Sequence, residues 1–139
     1  MIVVDTSALL AIIFNEPERA DFINIIARNG RALISIPSVV EARIVVHSRR
    51  GQRGTVLLDD LLRLPLFELV PPSAAEAQAA YSAFVTFGKG SGHAAALNYG
   101  DLFSYALAKV RGLPLLFNLN PAVDPKQTKR KAMQYGVFN

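Results

Sequence analysis

The order of apolar segments predicts an α/β fold, an open parallel sheet covered by helices on both faces. Three observations carry that expectation: short β-branched runs that suit strands buried on both sides, helically spaced segments between them, and helix-start and helix-stop residues at the junctions. The first strand is Ile2-Val3-Val4, after which Asp5-Thr6-Ser7 opens a helical stretch over Ala8 to Phe14. Pro17 can start a second helix, in which Phe22, Ile23, Ile26 and Ala27 recur at helical spacing until Gly30 stops it. Ala32 to Ile36 is the second strand, and Pro37 suits the first turn of a helix reaching about Arg49. Gly51 and Gly54 bracket a basic turn, and Thr55 can cap a helix to about Leu64. Phe67 to Val70 is the third strand. Ser73-Ala-Ala-Glu76 matches a capping box and starts a helix reaching about Phe87. The basic loop Gly88 to His93 leads to Asn98-Tyr-Gly-Asp101, an Asn cap with an acidic first turn for a helix ending at Gly112. Leu115-Leu116-Phe117 is the fourth strand. From Asn118 the pattern weakens, and residues 118–139 form an atypical basic segment containing Lys126, Lys129, Arg130 and Lys131.

At 139 residues the chain fits a single domain, 1–139, and with 51% apolar residues it has enough apolar material for a packed core. Only 19% of residues are charged, which argues against disorder. The formal charge of +4 suits a protein that meets polyanions such as nucleic acid. With no cysteine, disulfides, thiolate metal sites and a Cys nucleophile are excluded, and a reducing cytoplasm is compatible. Two histidines, His47 and His93, are too few for a His-rich metal site. The apolar N-terminus is interrupted by Asp5 and has no basic region before it, so neither a signal peptide nor a membrane span is expected.

Asp5 follows the first strand, Glu41 lies early in the helix after the second, and Asp101 lies in the first turn of the last helix. In an open α/β sheet ligands bind at the carboxyl ends of the strands, so the three acids converge on one rim. Converging carboxylates repel one another and resist ionising, a conflict that a divalent cation resolves. Mg²⁺ and Mn²⁺ take oxygen ligands, and two or three carboxylates with phosphate oxygens suit either ion. Lys and Arg elsewhere would attract a phosphodiester backbone to the metal. Each acid also has a plainer reading: Asp5 as a helix cap, Asp101 as a charge offsetting the helix dipole, and Glu41 as a solvated side chain. Glu41 is the most telling of the three because Val39-Val40 and Ala42 flank it. Arg49, Arg50 and Arg53 could touch RNA or form a solvated basic face, and His93 reads as a surface loop residue.

Ile2-Val3-Val4-Asp5-Thr6-Ser7-Ala8-Leu9, Ser38-Val39-Val40-Glu41-Ala42, Lys89-Gly90 and Leu97 to Lys109 together resemble PIN-domain toxins of the VapC type. The resemblance spans about Met1 to Phe117, and Asn-Tyr-Gly-Asp-x-Phe-Ser-Tyr is its most specific part. It implies an α/β/α sandwich with a central parallel sheet, and a metal-dependent ribonuclease acting as the toxin of a toxin–antitoxin pair. It further implies that Asp5, Glu41 and Asp101 bind Mg²⁺ or Mn²⁺, that Ser7 supports the site, and that the chain meets RNA, a cognate antitoxin and a second copy of itself. The departure lies after Phe117, where the family's fourth acid aligns with Pro121. Asn120 could supply a neutral oxygen and Asp124 could reach back. Loss of that acid implies one firmly held ion and lowered or altered activity, and the alternative function is a catalytically weakened RNA- or partner-binding module. A haloacid-dehalogenase-like phosphotransferase also starts with an Asp after its first strand, but Ser7 stands where it needs a second Asp. Apolar residues on the early helices, Leu9, Leu10, Ile13, Phe14 and Ile26, are the expected partner-facing surface, with ordinary core as the other reading.

Overall fold

The apolar runs pair as the alternation predicts. A computed structural model describes residues 1–93 and 97–118. Among them, β1 (Ile2–Val4), β2 (Ala32–Ser35), β3 (Phe67–Val70) and β4 (Leu115–Leu116) form a parallel sheet in the order β3-β2-β1-β4. The chain moves outward from β1 through β2 to β3, then returns to place β4 on the other side of β1. Parallel neighbours require crossovers, supplied by α1 (Thr6–Ile13) and α2 (Arg19–Asn29), then α3 (Ile36–Leu62), then α4 (Ala74–Phe87) and α5 (Tyr99–Arg111).

Side chains alternate across the strands, so each strand feeds both faces. Ile2, Val4, Ala32, Ile34 and Leu116 pack with Leu9, Ile12, Phe22, Ile26, Val39 and Val46 on the face covered by α1, α2 and α3. Val3, Leu33, Val70 and Leu115 pack with Leu107 and Ala108 of α5 on the other. Helix α4 lies outside α5, joined to it through Ala80, Ala83, Leu102, Tyr105 and Ala106. The result is the expected α/β/α sandwich. Among the described residues, no helix is long and apolar enough to cross a membrane.

Several boundaries differ from expectation. Helix α2 starts at Arg19 rather than Pro17, and its cap position, Glu18, makes no side-chain capping bond. The two helices expected between Pro37 and Leu64 run as one element, α3, interrupted only at Gly51. Thr55 does not cap a helix, because its hydroxyl donates to Gln52 O at 2.9 Å from inside the helical stretch. Gly51 has φ 62° and ψ −156°, a conformation essentially reserved for glycine, and an added Cβ there meets no atom within 4 Å. Gly51→Ala therefore isolates backbone strain and is expected to lower stability by about 1–3 kcal/mol, measured by chemical denaturation.

The expected partner-facing residues are mostly core. Leu9 and Ile26 are buried, and Leu10, Ile13 and Phe14 are partly buried against the same cluster, where α1 packs against both α2 and α3. Arg49 and Arg50 lie over the Phe14 ring, 4.9 and 5.5 Å from its centroid, and shield it from solvent. The larger exposed apolar side chains sit elsewhere, including Tyr81, Phe84 and Val85 on α4 and Tyr99 on α5. His93 is exposed and its ring stands edge-to-face with Phe87 at 4.8 Å. Asn120, Pro121, Asp124 and the basic tail, most of the atypical segment 118–139, lie outside the described residues.

Candidate active site

Asp5 leaves the carboxyl end of β1, between β2 and β4, where the strand order reverses. Such switch points are where open α/β sheets bind ligands. Its main-chain N–H donates to Leu116 O at 2.9 Å, which fixes the residue against β4. The side chain is buried and caps α1: Oδ2 accepts from Ser7 N at 3.0 Å and from Ser7 Oγ at 2.7 Å. The capping and site readings of Asp5 are thus compatible, because capping occupies Oδ2 and none of the described hydrogen bonds falls on Oδ1.

A set of short polar side chains aligns the other two acids. Thr6 Oγ1 donates to Ser38 O at 3.0 Å, and Ser38 Oγ meets Ser104 Oγ at 3.0 Å, all three residues being buried. These bonds tie α1 to α3 and α3 to α5. Glu41 lies one turn after Ser38 and Asp101 one turn before Ser104, so the same bonds hold both acids near Asp5. Thr6 Oγ1 also approaches Glu41 Oε2 at 3.4 Å, a long contact for a proton directed chiefly at Ser38 O. Asp101 closes a capping box with Asn98: Asn98 N donates to Asp101 Oδ2 at 2.9 Å and Asp101 N to Asn98 Oδ1 at 3.0 Å. Gly100 makes room for Glu41, since a Cβ built at Gly100 would collide with the Glu41 carboxylate.

The charges report how the acids are grouped. Burial, then the charge of Asp5, then that of Asp101 raise the Glu41 pKa, against a small opposing effect from Thr6. Asp101 is raised to about 6, chiefly by burial, with the Asn98 bond opposing the rise and the Asp5 charge adding to it. All three acids therefore share one electrostatic environment. Among the described residues, the ion pairs are Arg31–Glu68, Arg43–Asp59, Arg63–Asp60 and Arg111–Glu76, none of which involves Asp5, Glu41 or Asp101. Nor are any three His, Asp or Glu side chains among them gathered closely enough to hold an ion by themselves. An oxygen-only donor set with no cationic partner fits Mg²⁺ or Mn²⁺, and Mg²⁺ in particular keeps several of its waters.

A raised folded-state pKa means that the folded protein binds more protons than the unfolded one between the two values. For metal-free protein, the contribution of Asp101 to stability is thus fully present below pH 3.8 and declines as pH rises to about 6. Asp101→Asn is expected to gain thermal stability relative to the parent over that window and to hold a constant difference above it. Melting curves in chelator from pH 4 to 8 check this, and a difference independent of pH contradicts it.

The PIN domain family pattern matches residues 2–121. The chain belongs to the PIN domain family. It is 44% identical over 115 residues to ribonuclease VapC30 of Mycobacterium tuberculosis, covering 83% of this chain and 87% of that protein. Among solved structures, Mycobacterium tuberculosis VapC20, described as a sarcin–ricin loop cleaving toxin, superposes with TM-score 0.71 at 14% identity, covering 99% of this chain and 98% of the other. Rickettsia felis VapBC2, solved bound to a promoter DNA fragment, gives TM-score 0.68 at 18% identity, with 93% and 92% coverage. The low identities of these two carry the fold alone.

Within this PIN domain, Ser7 bonds Asp5, and the charge of Asp5 acts on both Glu41 and Asp101. Sequence reasoning did not assign roles to Ser38, Ser104, Gly100, Asn118 or Glu16. A signal existed for the two serines, each a small polar residue three positions from an acid. Asn118 and Glu16 gave none.

Proposed function

We propose that this chain is a VapC-type ribonuclease, the toxin of a toxin–antitoxin pair, cutting RNA phosphodiester bonds with Mg²⁺ or Mn²⁺ held by Asp5, Glu41 and Asp101. What supports this most is the electrostatic coupling of three acids from the end of β1, α3 and α5 that have no cationic side chain paired to them among the described residues, in a chain closely related to a named ribonuclease. Bound there, the ion would lower the pKa of a coordinated water and stabilise charge on the attacked phosphate. Asp5 offers Oδ1 while Ser7 holds Oδ2. One of the carboxylates can take the proton of the attacking water. Asp101 is kept in place by its capping box, and the surplus of Lys and Arg draws the RNA backbone in.

Purified protein incubated with RNA in Mn²⁺, in Mg²⁺ and in chelator tests the reading. Cleavage in metal and none in chelator is the expected result; intact RNA in every condition refutes it and leaves a binding module. The VapBC and toxin–antitoxin complexes among the structural neighbours support a cognate antitoxin, and a second copy of the chain is proposed as a further partner. Size-exclusion chromatography after co-expression with the neighbouring gene product is expected to give a complex, and monomers alone would argue against both partners.

A further inference from the structure

A chain of hydrogen bonds leads out of the site to a residue outside the acidic cluster. Asn118 N donates to Ser7 Oγ at 2.9 Å, and Ser7 Oγ stands 2.7 Å from Asp5 Oδ2. A main-chain N–H can only donate, so Ser7 Oγ is the acceptor of that bond and its own hydrogen is directed at Asp5. The direction of the chain is therefore fixed. Beyond it, Asn118 Nδ2 donates to Glu16 Oε2 at 2.9 Å, across 102 positions of sequence. Glu16 lies in the turn between α1 and α2, anchored by its own N–H on Ala11 O at 2.9 Å.

We infer that Glu16 is a positioning residue, which grips the Asn118 side chain at the exit of β4 so that Asn118 N and Ser7 Oγ hold the Asp5 carboxylate in one orientation. The grip is needed there because β4 is only two residues long and the ladder ends at Leu116. Among the described residues, the hydrogen bonds of Asn118 run to Ser7 and Glu16. Outer-shell partners of metal-binding groups commonly affect ion affinity by about 10–100-fold. The inference rests on Asp5 being a metal-binding acid, as proposed above.

The test compares Glu16→Ala with Glu16→Gln, whose amide oxygen can still accept from Asn118. Hydrogen exchange of the Asn118 amide in metal-free protein and Mn²⁺ affinity by calorimetry are measured together. Glu16→Ala is expected to speed Asn118 exchange and to weaken Mn²⁺ binding about tenfold or more, and Glu16→Gln to restore most of both. Unchanged Asn118 exchange in Glu16→Ala overturns the inference, as does equal loss in the two variants. So does a change confined to the melting temperature. Faster exchange in Glu16→Ala, with no Mn²⁺ uptake by the parent protein, supports the positioning chain and instead refutes the metal assignment.

Discussion

Asp5→Asn is expected to abolish RNA cleavage while leaving the fold in place. Asparagine caps a helix about as well as aspartate does, and its side-chain oxygen can accept the Ser7 bonds that Asp5 Oδ2 accepts now. The substitution therefore removes the charge and keeps the shape. Charge stabilisation by a bound metal contributes several kcal/mol to such a reaction, and its loss corresponds to at least about a hundredfold in rate. Asp5→Ala should lose the same activity and in addition about 0.5–2 kcal/mol of stability with the cap. Single-turnover cleavage of RNA and thermal melting, measured on both variants, separate the two effects. Cleavage by Asp5→Asn within tenfold of the parent would remove Asp5 from the catalytic assignment.

Gly100→Ala has an expected sign that helix propensity alone gets wrong. Gly100 lies in the first turn of α5, where alanine is normally better by up to about 1 kcal/mol. Here the new methyl group would meet the Glu41 carboxylate, so either Glu41 swings away or α5 shifts. Overpacking of this kind costs about 1–3 kcal/mol, and a displacement of about 1 Å in a catalytic group costs on the order of a hundredfold in rate. In a Glu41→Ala background the obstruction is gone, and the same change should be neutral or stabilising. A double-mutant cycle by denaturation reads that reversal directly. Equal destabilisation in both backgrounds would show that Gly100 serves something other than space for Glu41.

The class of fold and three acidic candidates were legible in the residues because each rests on a local pattern, whereas Ser7 entered only through the family resemblance. Ile2-Val3-Val4 ends in Asp5, Glu41 stands out among apolar neighbours, and Asn98 to Asp101 is a capping box in plain sequence. The Ser73–Glu76 box was equally readable, and both boxes form as expected. Local patterns misplaced the start of α2 and the role of Thr55, where a turn signal competed with a helix that continues through Gly51 with one distorted residue. They left Leu9 and Ile26 open between partner surface and core, because burial there depends on how α1 packs against α2 and α3.

By itself the sequence determined the periodicities, the caps and the acidic residues, since these follow from chemistry within a few positions along the chain. Only the tertiary structure decided that the charge of Asp5 raises the proton affinity of Glu41 and Asp101, that Ser38 meets Ser104, and that Glu16 reaches Asn118. Those contacts join residues up to 102 positions apart. Their geometry depends on the order in which strands pair and on which helix covers which face, which no stretch of neighbouring residues encodes.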